Sequence, residues 1–161
     1  MNRGKVTDIA ELPVLLAPGG RLLGLDVGSK TIGLAVSDGA RRLATPAGTI
    51  RRTKFKPDLA ALQTEIAARQ IAALVVGLPV NMDGSEGPKC QSVRQFVTNI
   101  GAAIDLPIVL WDERLSTAAV TRSLVEQDVS RARRKEVVDT HAATYILQGA
   151  LDRLGVLNSS A

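Results

Sequence analysis

Apolar and polar positions along this chain follow two different periods, and each switch between them marks an element. Leu22, Leu23, Leu25 and Val27 make Arg21 to Val27 a nearly continuous apolar run, which predicts a strand buried on both faces. Gly28-Ser29-Lys30 reads as a tight turn, Thr31 to Ser37 as a second strand, and Asp38-Gly39 as another turn. A weaker third strand is expected around Leu43 to Ile50, with Pro46 marking an edge or an irregularity. The period then lengthens. Leu59, Leu62 and Ile66 recur at helical spacing, and Ala73 to Gly77 is a short buried strand followed by a turn-rich loop, Leu78 to Pro88. Val93, Phe96, Val97, Ile100 and Ile104 draw an amphipathic helix that Asp105-Leu106-Pro107 stops. Ile108 to Asp112 reads as a strand, and Ser116 to Gln127 as a helix capped by Ser116 or Thr117. Asp128 to Glu136 is polar and basic and reads as a loop. Val138 to Leu154 is the last helix, with Ile146, Leu147, Ala150, Leu151 and Leu154 on its apolar face.

Three strands joined by short turns make an antiparallel meander. The later strand-helix-strand passages need right-handed crossovers, so the fourth and fifth strands should run parallel to the first. The expected fold is α/β, a mixed five-stranded sheet with helices on both faces. Residues 1–20 lack a clear period, carry Pro13 and Pro18, and end in Gly19-Gly20. They read as an N-terminal extension lying loosely on a domain of residues 21–157, with 158–161 a polar, frayed tail.

A length of 161 residues suits one domain, and 45% hydrophobic with 22% charged residues excludes wholesale disorder. No run nears the roughly 18 apolar residues of a membrane span, and Leu12 to Ala17, broken by Pro13, is too short for a secretory core. The single cysteine, Cys90, excludes an intramolecular disulfide and a Cys-based zinc site, so a reducing cytoplasm is the expected location. A net charge of +4 permits a polyanionic partner. With 2 Phe, 1 Trp and 1 Tyr, a platform that stacks bases is disfavoured over contacts to phosphates.

In a sheet of this kind, sites form beyond the carboxyl ends of the parallel strands. Asp26 sits near the end of the first strand, Leu78-Pro79 leaves the fourth, and Asp112-Glu113 closes the fifth. Asp26 is the odd residue, because an ionised carboxylate is expensive to bury within LLGLDVG. It could instead accept N–H bonds from Gly28 to Lys30, and Glu113 could be a surface acid beside Arg114. Strand alternation lets at most one of Asp112 and Glu113 join Asp26, unless the strand ends at Asp112. Asp139 opens the expected last helix, with small Ala142 and Ala143 on its own face. By itself it would merely suit a helix N-terminus. Three converging carboxylates would repel unless divalent cations neutralised them, and Mg²⁺ and Mn²⁺ prefer oxygen donors.

Four segments, GLDVGSKTIGLAVSD (Gly24 to Asp38), VVGLPVNMDGSEG (Val75 to Gly87), DERLST (Asp112 to Thr117) and VVDTHAATYIL (Val137 to Leu147), together resemble the YqgF family. These are RNase-H-like proteins described as pre-16S ribosomal RNA nucleases and as Holliday junction resolvases. The resemblance spans about Arg21 to Leu154 and leaves residues 1–20 outside. It implies an RNase-H-like sheet and catalytic, metal-binding acids at Asp26, Glu113 and Asp139. It also implies phosphodiester hydrolysis with two Mg²⁺ or Mn²⁺ ions. The substrate would be nucleic acid, with a ribosomal RNA precursor favoured over branched DNA. A junction resolvase would be expected as a homodimer, although no exposed apolar seam stands out in the sequence.

Basic residues could hold the phosphates: Arg131, Arg133, Arg134 and Lys135 just before Asp139, with Lys30 and Arg114 near the rim. Arg114 could equally serve as an internal ion-pair partner. Arg51, Arg52, Lys54 and Lys56 form a second patch. The lone histidine, His141, cannot build a multi-His metal site and reads first as a surface or packing residue. The loop Pro79 to Gly87 is expected to border the cleft. Gly28-Ser29-Lys30-Thr31 is not a phosphate-binding P-loop, because Ser29 separates glycine from lysine and a strand follows. An actin- or sugar-kinase-like lobe would need a second lobe to enclose nucleotide. A non-catalytic nucleic-acid or ribosome-binding protein is the remaining competitor.

Overall fold

The computed structural model describes residues 6–115 and 131–159, with side chains described for 6–115 and 141–158. Five strands form one sheet in the order β3-β2-β1-β4-β5. They are β1 (Arg21–Val27), β2 (Thr31–Ser37), β3 (Ala44–Arg51), β4 (Ile71–Leu78) and β5 (Ile108–Asp112). β2 is antiparallel to both β1 and β3, while β4 is parallel to β1 and β5 is parallel to β4. The expected mixed sheet is therefore the one observed. β3 is an edge strand, and its pairing with β2 slips between Leu34 and Ala35, opposite Gly48 and Pro46. Proline is tolerated there because an edge strand has N–H groups with no ladder partner.

Helices cover both faces. α1 (Phe55–Ala68) and α2 (Pro88–Gly101) lie on one side, where Leu62, Val93, Phe96, Val97 and Ile100 pack on Leu23, Leu25, Leu74 and Val76. α3 (Arg131–Ser159) covers the other, where Ala142, Ala143, Ile146, Leu147 and Ala150 pack on Leu22, Ala35, Ala73, Val75 and Trp111. This double coverage explains the unbroken apolar runs of β1 and β4. Gly24 and Gly149 let α3 sit close. A β-carbon on Gly24 would lie 2.8 Å from Leu147 Cβ, and one on Gly149 would lie 3.1 Å from Trp111 Nε1.

Several expectations need correction. The N-terminal segment is not loosely laid on. Val6 pairs in parallel with Ile108, the Thr7 N–H donates to the Ile108 carbonyl at 2.8 Å, and a 3-10 helix over Ile9–Leu15 buries Leu12 completely. Its prolines suppress an ordinary helical period, but one fully buried leucine is enough to pin the turn. The last helix starts at Arg131 rather than Val138. Residues 131–136, expected as loop, therefore have helical backbone, because Arg, Ala, Lys and Glu are good helix formers whatever their charge. Asp139 accordingly lies in the third turn of α3 and does not open it. The helix also runs on through Asn158 and Ser159, so the polar tail begins inside it. α2 ends at Gly101, before Asp105, although Ile104 remains buried. The helix expected over Ser116 to Gln127 lies outside the described residues.

Candidate active site

The three parallel strands point their carboxyl ends to one rim. Along β1, side chains alternate: Leu23 and Leu25 enter the α1–α2 side, while Leu22 and Gly24 meet α3. Asp26 has the parity of Leu22 and Gly24 and so stands on the α3 face, with only 6% of its surface exposed. The Gly28 N–H, one donor considered for Asp26, goes instead to the Thr31 carbonyl at 2.8 Å.

β5 ends at Asp112, and Glu113 opens a 3-10 turn over Glu113–Leu115. That turn sends the two neighbouring acids to different places. Glu113 is 4% exposed, and its Oε2 is 3.2 Å from where a β-carbon on Gly77 would stand. Gly77 pairs with Trp111 on β5, and it lies one step past the Leu25–Val76 pair on the β1 side. Gly77 of β4 thus forms the floor between Asp26, near the end of β1, and Glu113, just past the end of β5, all on one face. The same missing side chain admits Ile146 of α3, whose Cδ1 a β-carbon would overlap.

Asp112 takes the other course. Arg114 Nη2 donates to its Oδ2 at 2.7 Å and Arg114 Nε donates to both its oxygens at 3.1 Å. Those bonds, before any other influence, hold the Asp112 carboxyl below the usual carboxylate range and push Arg114 up. Arg114 Nη1 also reaches the Met82 carbonyl at 3.5 Å. Arg114 therefore ties the end of β5 to the loop leaving β4.

That loop, Pro79 to Gly87, is internally braced. The Asn81 N–H donates to the Ser85 carbonyl at 2.9 Å, and the Ser85 N–H and Oγ donate to Asp83 Oδ1 at 2.9 and 2.6 Å. Arg94 of α2 grips Glu86 through two bonds of 2.6 and 2.8 Å. The Ser85 bonds lower the Asp83 carboxyl, and the Arg94 bonds lower that of Glu86.

Of the residues singled out in the sequence, Asp26 and Glu113 stand on one face of the rim on either side of Gly77, and Lys30 is exposed on the turn that follows β1. Asp139 lies on α3, and its side chain, with those of Arg131, Arg133, Arg134 and Lys135, lies outside the described residues. Among the described residues no three His, Cys, Asp or Glu side chains group as a metal site. His141 is exposed, and Cys90 is buried, its thiol pushed up by burial. Arg52, grouped with the exposed basic patch, is turned inward. Its Nη1 donates to the Gly28 carbonyl at 2.6 Å, its guanidinium lies 5.2 Å from the Phe96 ring centre, and its Nε is 3.8 Å from buried Asp58. Two parts went unread in the sequence: the floor at Gly77 and the Arg52–Asp58 pair. A glycine closing an apolar strand was the available signal for the first. No local pattern announces the second, because Arg52 and Phe96 are brought together only by folding. No helix among the described residues is long and apolar enough to cross a membrane.

Residues 20–153 match the family model described as RuvX: Holliday junction resolvase. A protein of Bradyrhizobium sp. (strain ORS 278) named "Putative pre-16S rRNA nuclease" is 59% identical over 154 residues, covering 92% of this chain and 96% of the relative. One of the same name from Methylocella silvestris is 54% identical over 158 residues, covering 98% of each. Among solved structures, Thermus thermophilus RuvC in complex with Holliday junction substrate is similar with a TM-score of 0.48, at 13% identity over 84% of this chain and 96% of that one. Because the family model spans nearly the whole domain and these relatives match it end to end, the chain belongs to the RuvX family, the one its four motifs resembled under the name YqgF.

Proposed function

We propose that this chain is a metal-dependent nuclease that hydrolyses phosphodiester bonds in the maturation of the 5′ end of the small-subunit ribosomal RNA precursor, in the cytoplasm. The observation that carries the reading is the pair of buried carboxylates, Asp26 near the end of β1 and Glu113 just past the end of β5, standing on one face with Gly77 of β4 between them. The names of the relatives support the substrate.

The donor set fits hard divalent cations, since both groups offer only carboxylate oxygens. Asp26, Glu113 and Asp139 would hold two Mg²⁺ or Mn²⁺ ions. Bound there, the ions supply a water of lowered pKa and a counter-charge for the leaving oxygen. Backbone register supports including Asp139. Ala143 of α3 lies over Gly24, its carbonyl 3.1 Å from where a β-carbon would be. Asp139 is one helical turn before Ala143, and Asp26 is two residues beyond Gly24 on the same face. The chain's own contribution is orientation. Strand ends hold Asp26, the 3-10 turn holds Glu113, and the Arg114–Asp112 pair keeps that turn and the neighbouring loop in register. Lys30, Arg131, Arg133, Arg134 and Lys135 would steady the substrate by its phosphates without reading its sequence. If Arg114 also touches substrate, it does so while bonded to Asp112.

The test is a side-by-side cleavage assay on a small-subunit ribosomal RNA precursor and a four-way DNA junction, with Asp26→Asn as control. Cleavage of the precursor only with Mg²⁺ or Mn²⁺, lost in the control, is the expected result. The family description favours junction cleavage as the second reading, and it would require a symmetric homodimer. Binding without cleavage by either protein would instead identify a non-catalytic nucleic-acid binder.

A further inference from the structure

The turn between β1 and β2 is locked to the end of β3. The Arg52 N–H donates to the Lys30 carbonyl at 2.8 Å, and the Arg52 guanidinium holds the Gly28 carbonyl. Buried Asp58 in turn accepts from the Thr53 N–H at 2.9 Å, which fixes the chain as it leaves β3 for α1. This internal use of Arg52 and Asp58 leaves Lys30, Arg51, Lys54 and Lys56 exposed. Among the described residues none of the four forms an ion pair.

Parity decides which way Arg51 looks. Asp26 stands opposite Gly33, and Arg51 stands opposite Thr31, two residues along the same strand. Residues facing each other across an antiparallel pair share a side, as do residues two apart, so Arg51 is on the face of Asp26. It lies two strands over, about 10 Å sideways. From Val27 to Pro57 the sequence has one acid, Asp38. It sits past the far end of β2, where the Arg42 and Leu43 N–H groups occupy it.

We propose that Lys30, Arg51 and Lys54 form a track for the sugar-phosphate backbone, leading nucleic acid away from Asp26 and Glu113 over the ends of β2 and β3 toward Lys56. The proposal rests on the nuclease reading for its substrate and adds the direction in which that substrate lies. Fixed cations of this kind hold phosphates and release counterions on binding.

The test compares two triple variants of equal charge by fluorescence anisotropy with labelled precursor RNA, without divalent cations, between about 50 and 200 mM salt. One is Lys30→Gln/Arg51→Gln/Lys54→Gln. The other, Arg21→Gln/Arg42→Gln/Arg153→Gln, removes exposed cations from elsewhere. The track variant should bind more weakly, and its log–log salt slope should be shallower by about 2, with unfolding temperature unchanged. The remote variant should match wild type. Equal losses in both variants, or an unchanged slope in the track variant, overturn the proposal. A wild type that never cleaves yet binds through the track refutes the nuclease reading alone, whereas intact cleavage with an unchanged slope refutes the track alone.

Discussion

Asp26 and Glu113 are expensive side chains to hide, since each keeps a carboxylate about 95% out of water. Cations at the rim would offset that cost, so the pair should report metal in a readout separate from cleavage. Mg²⁺ or Mn²⁺ should raise the unfolding temperature of the wild type, and Asp26→Asn or Glu113→Gln should remove that rise without lowering the metal-free value. The same variants should lose about a thousandfold in cleavage rate, equivalent to about 4 kcal/mol. A metal-dependent shift that survives both substitutions contradicts the assignment. Asp112 behaves differently, because Arg114 holds its carboxyl low. With its folded pKa below the unfolded value of about 3.9, its stabilisation is full above that pH and fades as pH falls through the folded value. The pair is partly exposed, so solvent screens it and the effect is small. Arg114→Gln should therefore narrow its stability gap to wild type as pH drops below about 4, read from denaturant midpoints.

Between elements, the closest approaches are made by glycines. A methyl group at Gly77 would overlap Ile146 and press on Glu113 at once. Gly77→Ala should cost about 1–3 kcal/mol and weaken cleavage beyond what that loss explains, because it moves the carboxylate as well as α3. Thermal unfolding and cleavage measured on the same preparation separate the two effects. The N-terminal segment offers a second case. Leu12 is completely buried in the core beneath α3, so Leu12→Ala should destabilise by about 2–5 kcal/mol. A variant as stable as wild type would restore the view of residues 1–20 as a loose appendage.

For the molecule as a whole, one sheet organises both the proposed hydrolytic face and the proposed track. The parallel strands bring the acids to one rim, and the antiparallel hairpin brings Arg51 to the same face. A net charge of +4 is too small to attract a polyanion everywhere on the surface. Position of charge should therefore matter more than its total, which is the contrast between the two triple variants.

The sequence by itself determined the elements that bury apolar surface. β1, β2 and β5 begin and end where their hydrophobic runs do, because a strand covered on both faces needs an unbroken apolar stretch. Right-handed crossovers then made β4 and β5 run parallel to β1 and sent Asp26 and Glu113 to one rim. Tertiary structure decided what depends on neighbours from other parts of the chain. Glu113 rather than Asp112 turns inward because the strand ends between them and Arg114 takes Asp112. Arg52 is an internal clamp and Lys30, Arg51 and Lys54 remain outside, although all four look alike as basic residues, because only Arg52 meets Phe96, Asp58 and the Gly28 carbonyl. Periodicity records which side of an element is apolar, whereas the partner of a charge is set by packing between segments far apart in sequence.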